Sequence, residues 1–270
     1  MPTETLASGA TFTSFDLAGG SGRQIARAQN FIVEWISQRD RLYSARSDNE
    51  MIVLLAAGIA RLGDDGEIVL AGASVAILPA GVVELMLVEG GPLLVLATGR
   101  SDLDGAADAG NTRFDPRIAP IGVPLARRQP IEHPVVTALD DLPNPSGNPR
   151  IRFLQSETMS INIVRYDGPR DATSLSPHAH DDIQQGTLAI AGHYVHHLRT
   201  PWGRDVAEWR EDQHIDAGPG TLLLIPPEIV HTTQGVGAHP HLMLDIFAPA
   251  RRDFIAKGWM ANADDYLAPA

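Results

Sequence analysis

The sequence predicts an all-β protein of the sandwich or barrel type, on the strength of its turn residues and its strand-forming segments. Its 270 residues include 25 Gly and 20 Pro. Turn signals recur at short intervals and separate segments rich in Val, Ile and Leu, such as GEIVLAGASVAILPAG and GPLLVLATG. Short strand-like runs bounded by turn residues are typical of sandwiches and barrels, and they are not typical of helical bundles.

An internal repeat predicts that the chain contains two such units. The segment ASVAILPAGVVE, which ends at Glu84, matches GTLLLIPPEIVH, which ends at His231. In both segments an apolar run and a proline precede a polar residue that lies five positions after that proline. Each segment follows a second apolar strand that ends in glycine, NEMIVLLAAG and QQGTLAIAG. A whole β unit is therefore duplicated.

The segment between the two halves has a different composition. DPRIAPIGVPLARRQPIEHP and DDLPNPSGNPR contain too much proline for the interior of a sheet. We predict an N-terminal barrel at residues 1–110, a proline-rich connector at 111–150 and a C-terminal barrel at 151–260.

Charge and cysteine content restrict the partners. The net charge of -12 and the pI near 5.2 argue against nucleic acid and anionic membranes, so a small-molecule substrate is expected. The absence of cysteine leaves only nitrogen and oxygen ligands for a metal. The first residues lack the basic and apolar regions of a secretory signal, and the longest apolar run, MIVLLAAGIA, is about half of a membrane span. A cytoplasmic location is expected.

The stretch LSPHAHDDIQQGTLAIAG places His178 and His180 two residues apart. On a strand, such residues face the same side, so both imidazoles can converge on one point. Two histidines do not make a metal site, and two solvated side chains in a loop are an equally good interpretation. A third ligand is needed to decide.

The second half resembles the cupin superfamily at both of its metal-binding motifs. The pair His178 and His180, followed by Gly192, is similar to the first motif, and Gly220, Pro226 and His231 match the spacing of the second. LMLDIFAPARRDF also looks like the closing strand of a cupin domain. The resemblance implies two jelly-roll barrels in one chain, a bicupin, in which the three histidines share one metal. It also implies a homodimer.

The ligand that is a glutamate in the family is replaced here by a glutamine. Gln184 and Gln185 lie four and five residues after His180, and both spacings occur in cupins. Only one of two adjacent strand residues should point inward, and similar HxHDD sequences favour Gln184. Three imidazoles with a glutamine suit one divalent transition metal, Fe, Ni, Mn, Co or Zn.

The first half lacks this site. No histidine precedes His133, and Glu84 stands at the position of the second-motif histidine. Glu50 or Asp48 could form a weak site with Glu84, but without imidazoles a structural barrel is the preferred interpretation.

Three neutral imidazoles leave the metal charge uncompensated, which favours an ion that stabilises an enolate or a ring-opened oxyanion. We therefore expect an isomerase or lyase that acts beside a carbonyl, and the resemblance to metal cupins with a glutamine ligand implies a sugar-acid-like substrate. An Fe(II)-dependent dioxygenase and a non-catalytic ligand-binding or sensor cupin are the alternatives. Along GHYVHHLR, His197 or His196 is the candidate general base, and Arg199 is a candidate for binding a substrate carboxylate.

Overall fold

The computed structural model of the chain describes residues 1–17, 22–63, 66–103, 109–110, 113–145 and 147–267. Within these ranges the chain is almost entirely β-structure with a single short α-helix, which confirms the predicted fold class. None of the helices in this part of the chain has the length and apolar composition needed to cross a membrane.

The elements, in chain order, are β1 (Thr3–Thr5), β2 (Thr11–Ser14), β3 (Arg23–Arg27), β4 (Ile32–Ile36), β5 (Leu42–Ser47), β6 (Met51–Leu55), β7 (Gly58–Leu62), β8 (Ile68–Ala71), β9 (Ser74–Leu78), β10 (Gly81–Gly90), β11 (Leu93–Ala97), β12 (Ala109–Gly110), β13 (Val135–Ala138), β14 (Ile151–Gln155), β15 (Ser160–Asp167), β16 (Gln185–Ala191), β17 (His193–Arg199), β18 (Gln213–Ala217), β19 (Thr221–Ile225), β20 (Val230–Val236), β21 (Pro240–Phe247) and α1 (Arg252–Ala256).

These strands form two barrels, each made of a large sheet and a small sheet. The first barrel combines a seven-stranded sheet, in the order β12-β3-β4-β11-β6-β9-β13, with a four-stranded sheet, β5-β10-β7-β8. The second barrel combines a seven-stranded sheet, β1-β2-β19-β16-β21-β15-β14, with a three-stranded sheet, β18-β17-β20. Almost all neighbouring strands are antiparallel, so the alternation of apolar and polar residues decides which side chains face each interior.

The interior of the first barrel is filled by apolar side chains from both of its sheets. Met51, Val53 and Leu55 of β6 meet Leu85 and Leu87 of β10, and all five are fully buried. Packing of this kind leaves little room for a ligand.

The carboxylates considered for a metal site in the first half serve other purposes. Glu84 alternates with buried Val83 and Leu85 along β10, so its side chain faces away from the interior. Glu50 accepts a hydrogen bond of 2.6 Å from the hydroxyl of Tyr266. The first barrel thus has the properties of a scaffold.

The two large sheets pack face to face, and the largest apolar cluster of the protein lies between them. Val33, Trp35 and Leu94 from the first barrel belong to the same cluster as Leu188 and Leu244 from the second. The barrels therefore share one continuous core, and burial of this area stabilises both together.

Two segments cross the boundaries predicted between the barrels. Strand β2 pairs with β19, so residues 3–14 belong to the large sheet of the second barrel. Strand β13, from the predicted connector, pairs with β9 of the first barrel. In these two places the strand pairing crosses the boundaries predicted between the units. The division of the chain into an N-terminal barrel, a connector and a C-terminal barrel stays a prediction. Strand pairing between residues this distant in sequence has no local signal.

Candidate metal centre

Three histidines of the second barrel converge at one end of its interior. His178 and His231 form an isolated β-bridge, with His178 N donating to His231 O at 3.0 Å and His231 N donating to His178 O at 2.8 Å. The ring of His180, two residues further along the chain, lies 5.0 Å from the ring of His178 and 5.5 Å from that of His231. One ring nitrogen from each of the three histidines lies within 4.8 Å of the other two. Within the described ranges, this is the single cluster of three side chains able to hold a metal ion.

Backbone carbonyls fix the tautomer of two of these histidines. Nδ1 of His178 lies 2.9 Å from the carbonyl oxygen of Ser176, and Nδ1 of His231 lies 2.8 Å from that of Ile229. A carbonyl oxygen only accepts, so both Nδ1 atoms carry the proton and both Nε2 atoms keep a free lone pair. This is the arrangement by which histidine ligands of metals are oriented.

The amide oxygen of Gln185 faces two of the histidines. Its Oε1 lies 3.1 Å from Nε2 of His231 and 2.9 Å from Nε2 of His180. Because Nε2 of His231 has no proton, the first of these contacts brings two acceptors together with no hydrogen between them. A cation placed between these atoms would turn the unfavourable contact into two ligand bonds.

The orientation of the Gln185 amide is set by a half-buried carboxylate. Gln185 Nε2 donates to Asp245 Oδ1 at 3.2 Å and to Thr187 Oγ1 at 3.0 Å. Asp245 also accepts hydrogen bonds from Thr187 Oγ1 at 3.0 Å and from Asn162 Nδ2 at 3.0 Å. Burial raises the pKa of Asp245 to about 6, although these hydrogen bonds act in the opposite direction. Asp245 thus holds the nitrogen side of the amide and leaves the oxygen pointing at the histidines.

The preference for Gln184 as the glutamine of the site is wrong. Gln184 is buried, and its Oε1 accepts a hydrogen bond of 2.9 Å from the backbone N–H of Gln29 in the first barrel. Strand β16 begins at Gln185, and adjacent residues there face opposite sides of the sheet. Only one of the two glutamines therefore reaches the site, and the sequence spacing does not determine which one.

His180 differs from the other two histidines in the position of its proton. Its Nδ1 lies 3.0 Å from Nη1 of Arg251, and a guanidinium can only donate. Nδ1 of His180 is therefore an acceptor, and the ring proton is on Nε2, directed at Gln185 Oε1. For His180 to bind a metal through Nε2, this proton must leave Nε2 and the contact with Arg251 must change.

Burial keeps His180 and His231 neutral at physiological pH. It lowers the pKa of His231 to about 3, and it lowers that of His180 to about 4, with the Arg251 charge and His178 contributing in the same direction. Neutral imidazole is the form that binds a metal. The donor set fits a divalent transition metal, apart from the proton on His180.

Comparisons with known proteins give a match in fold only. No protein-family model matches the sequence, and no curated protein matches it. A mutant of Bacillus subtilis oxalate decarboxylase superimposes with a TM-score of 0.55, at 11% identity, over 85% of this chain and 73% of its own. Lactobacillus farciminis oxalate decarboxylase in complex with formate gives a TM-score of 0.54, at 11% identity, over 92% and 85%. Oxalate decarboxylases are bicupins. The chain has a cupin fold.

Of the candidate catalytic residues, only His196 faces the interior of the cupin barrel. It is fully buried, its Nδ1 lies 2.8 Å from Thr233 Oγ1, and its Nε2 has no hydrogen-bond partner within the described ranges. Burial lowers its pKa to about 3, with His231 and His197 acting in the same direction. A role for His196 in catalysis stays a prediction.

His197 and Arg199 lie on the outer face of β17, so their predicted place at the site is wrong. Nδ1 of His197 lies 2.7 Å from Nδ1 of His214, and Arg199 Nε donates to Asp212 Oδ1 at 2.9 Å. The strand alternates, with Tyr194, His196 and Leu198 buried. Once His196 faces inward, its neighbours must face outward.

A cavity of about 500 Å³ opens onto the histidines and Gln185. It is lined by four cationic side chains that the sequence analysis did not identify: Arg150, Arg170, Arg251 and Lys257. They come from three separate stretches of the chain and share no motif, so no spacing could have grouped them. Aromatic rings, including Phe153, Phe247 and Phe254, form much of the remaining wall. A cupin cavity with this lining is suited to a small anion.

Proposed function

We propose that this protein is a metal-dependent cupin enzyme that acts on a small carboxylate substrate by lyase or isomerase chemistry at the carbon beside the carbonyl. The observation that carries the proposal is the contact of 3.1 Å between two acceptors, Nε2 of His231 and Oε1 of Gln185, beside the ring of His178. A cation bound by both lone pairs would turn this contact into two ligand bonds.

His178, His180, His231 and Gln185 would hold the ion, which on this donor set would be Fe, Ni, Mn, Co or Zn. When bound, such an ion supplies Lewis acidity that stabilises negative charge developing on a substrate oxygen. All four ligands are neutral, and the carboxylate of Asp245, one hydrogen bond behind Gln185, offsets part of the metal charge.

Arg251 is placed to bind the substrate carboxylate beside the metal. Asp253 holds its guanidinium through Nε at 2.7 Å and Nη2 at 2.9 Å, and the ring of Phe254 lies 4.2 Å from its Cζ. The remaining nitrogen, Nη1, points at His180. A carboxylate on the metal would be a better acceptor for Nη1 than the imidazole, because both of its oxygens carry charge.

The neighbours in fold support the metal and the small carboxylate. One study of the Bacillus subtilis oxalate decarboxylase concerns its Mn(II) centres; that structure gives a TM-score of 0.53 at 11% identity over 92% of this chain. The Lactobacillus farciminis protein was solved with formate, a small carboxylate. These properties support a metal and an acidic substrate for the present chain.

The first test is elemental analysis of the purified wild-type protein, of His231→Ala and of a matched control, His197→Ala. We expect about one transition metal per chain in the wild type and in the control, and its loss from His231→Ala, because that variant leaves His178 as the one imidazole of the site whose Nε2 is already free of its proton. Retention of the metal in His231→Ala would contradict the proposed site.

The second test is turnover of small 2-oxo, 2-hydroxy and dicarboxylic acids by the metal-loaded protein, with and without oxygen. Release of carbon dioxide or isomerisation without oxygen uptake would support the proposal. Oxygen consumption coupled to turnover would contradict the proposal and support the dioxygenase alternative. Tight binding of the acids without turnover would contradict the proposal and support a non-catalytic ligand-binding function.

A further inference from the structure

The positive charges around the cavity are not equally compensated. Asp253 pairs with Arg251 and, at 3.2 Å, with Lys257. Arg150 and Arg170 form no salt bridge with any described residue, although the chain as a whole carries a net charge of -12. Both side chains are half-buried. Asp171 interacts with Arg170 only beyond salt-bridge distance. Two arginines without a salt bridge in an acidic protein indicate a place where an anion from outside is bound.

Each of the two arginines is held by neutral groups. The guanidinium of Arg150 lies 5.9 Å above the ring of Tyr166. Nη2 of Arg170 donates to the carbonyl oxygen of Ser174 at 3.0 Å and to Ser176 Oγ at 3.3 Å. Burial lowers the pKa of Arg170, and the positive charge of Arg150 lowers it further. The repulsion between the two guanidinium groups would be relieved by an anion between them.

One residue connects this pair to the histidines. Ser176 contacts Arg170 through its hydroxyl, and its carbonyl oxygen accepts the Nδ1 proton of His178. The arginines and the three histidines also line the same cavity of about 500 Å³. A single small molecule can therefore reach both groups.

We propose that Arg150 and Arg170 form a second anion subsite, and that the substrate is a small acid with two separated anionic groups. This inference rests on the proposed function: one carboxylate binds at the metal beside Arg251, and the other group, a carboxylate or a phosphate, binds between Arg150 and Arg170.

The test measures binding to the metal-loaded protein by calorimetry. The ligands are 2-phosphoglycolate and the dicarboxylates oxalate, malonate, succinate, glutarate and adipate. Each dicarboxylate is compared with the monocarboxylate of equal carbon number. We expect one of the longer dicarboxylates or 2-phosphoglycolate to bind about tenfold or more tightly than its monoanionic counterpart, because the second group gains charge-assisted hydrogen bonds. If a dicarboxylate binds more tightly than 2-phosphoglycolate, the second anionic group of the substrate is a carboxylate; if 2-phosphoglycolate binds more tightly, it is a phosphate.

Arg150→Met and Arg170→Met should each remove most of this advantage and leave the metal content and the affinity for monocarboxylates unchanged. The matched control is Arg165→Met, which removes the same charge from β15, where Arg165 pairs with exposed Asp140 at 2.7 Å. An equal loss in the control would show that only long-range charge matters, and it would overturn the inference. An absence of any advantage for dianions in the wild type would overturn it as well.

Failure of the proposed function has a different signature. If the protein binds no metal, inorganic phosphate is titrated into the metal-free wild type and into Arg170→Met. Binding that Arg170→Met abolishes supports the subsite without the metal, and the absence of such binding overturns it.

Discussion

At the residue scale, the position of one proton distinguishes His180 from its two neighbours. His178 and His231 each donate from Nδ1 to a backbone carbonyl, and their Nε2 atoms are ready to bind a metal. His180 instead accepts a hydrogen bond from Arg251 at Nδ1. Arg251 therefore competes with the metal in two ways, through the tautomer of a ligand and through its own positive charge.

Replacement of Arg251 should consequently strengthen metal binding. In Arg251→Met, Nδ1 of His180 is free to carry the ring proton, and a cation close to the metal is lost. We expect the dissociation constant of the metal to fall by about tenfold, which corresponds to one charge-assisted hydrogen bond of about 1.4 kcal/mol. Competition with a chromophoric chelator at pH 7.5 measures this constant.

The control for this prediction is Lys257→Met. Lys257 pairs with the same carboxylate, Asp253, at 3.2 Å, but it does not contact a histidine. If Lys257→Met strengthens metal binding as much as Arg251→Met, the effect is general electrostatics and the tautomer argument is wrong. Carboxylate binding should weaken in Arg251→Met, so the two affinities should change in opposite directions.

The sequence allowed the histidines to be predicted, but not the groups that orient them. His178, His180 and His231 stand at motif spacings, which depend on local strand geometry. Asp245 lies 60 positions from Gln185, and Arg251 lies 71 positions from His180. These contacts depend on the pairing of β16 with β21 and on the turn after β21, and the sequence contains no local signal for either.

At the scale of single elements, the start and the alternation of a strand decide which residues reach the site. Strand β16 begins at Gln185, so this residue faces the histidines and Gln184 does not. On β17, the inward set is Tyr194, His196 and Leu198. The sequence predicted two alternative sets along β17, and choosing between them required the pairing with β20.

The inward position of His196 predicts a specific sensitivity to acid. Its pKa is lowered from 6.5 to about 3, so the unfolded chain takes up a proton between these values and the folded protein does not. This contribution to stability is complete above pH 6.5 and is lost as the pH falls toward 3, by about 1.4 kcal/mol per pH unit. Asp245, with its raised pKa, has the opposite sign and gains stability as the pH falls through about 6.

Comparison of wild type with His196→Leu isolates this effect from the other titrating groups. The free energy of unfolding of the metal-free proteins, measured with urea between pH 7.5 and 4, should fall less steeply in the variant. The control is His214→Leu, since His214 lies on the outer face of the same sheet. Parallel curves for wild type and His196→Leu would show that the burial of His196 does not affect the acid response.

At the scale of the whole molecule, the two barrels are joined by more than the connector. Their large sheets share one apolar core, and the N-terminal hairpin β1–β2 completes the sheet of the second barrel. The repeat in the sequence predicted two barrels because each half preserves its own strand and turn pattern. It could not predict this exchange of strands, because β2 and β19 are more than 200 residues apart.

The C-terminal segment adds a polar link between the barrels. The hydroxyl of Tyr266 donates to the carboxylate of Glu50 at 2.6 Å, and this carboxylate also accepts from the backbone N–H of Glu157 at 3.0 Å. Arg127, from the connector, stacks on the ring of Tyr266 at 4.9 Å. Four distant parts of the chain thus meet at one buried carboxylate, and loss of any one partner leaves its charge less well compensated.

Tyr266→Phe should therefore destabilise the whole protein in a way that depends on pH. Burial raises the pKa of Glu50, whereas the Tyr266 hydroxyl lowers it. Loss of the hydroxyl penalises the ionised form, and we expect a loss of about 1–3 kcal/mol at pH 7 that shrinks as the pH falls and Glu50 takes up a proton. Tyr43→Phe, which removes a hydrogen bond of 3.1 Å to the neutral side chain of Gln38, should show no such dependence.

Urea unfolding, which measures the loss of stability in Tyr266→Phe, also tests whether the barrels unfold as one unit. Trp35 belongs to the shared core on the side of the first barrel, and Trp259 packs on Phe153 of the second barrel. With a continuous core, fluorescence from single-tryptophan variants that retain Trp35 or Trp259 should report the same midpoint, and Tyr266→Phe should lower both equally. Two separate midpoints would mean that the link through Glu50 and the shared apolar core do not couple the barrels, and that the metal site is supported by the second barrel alone.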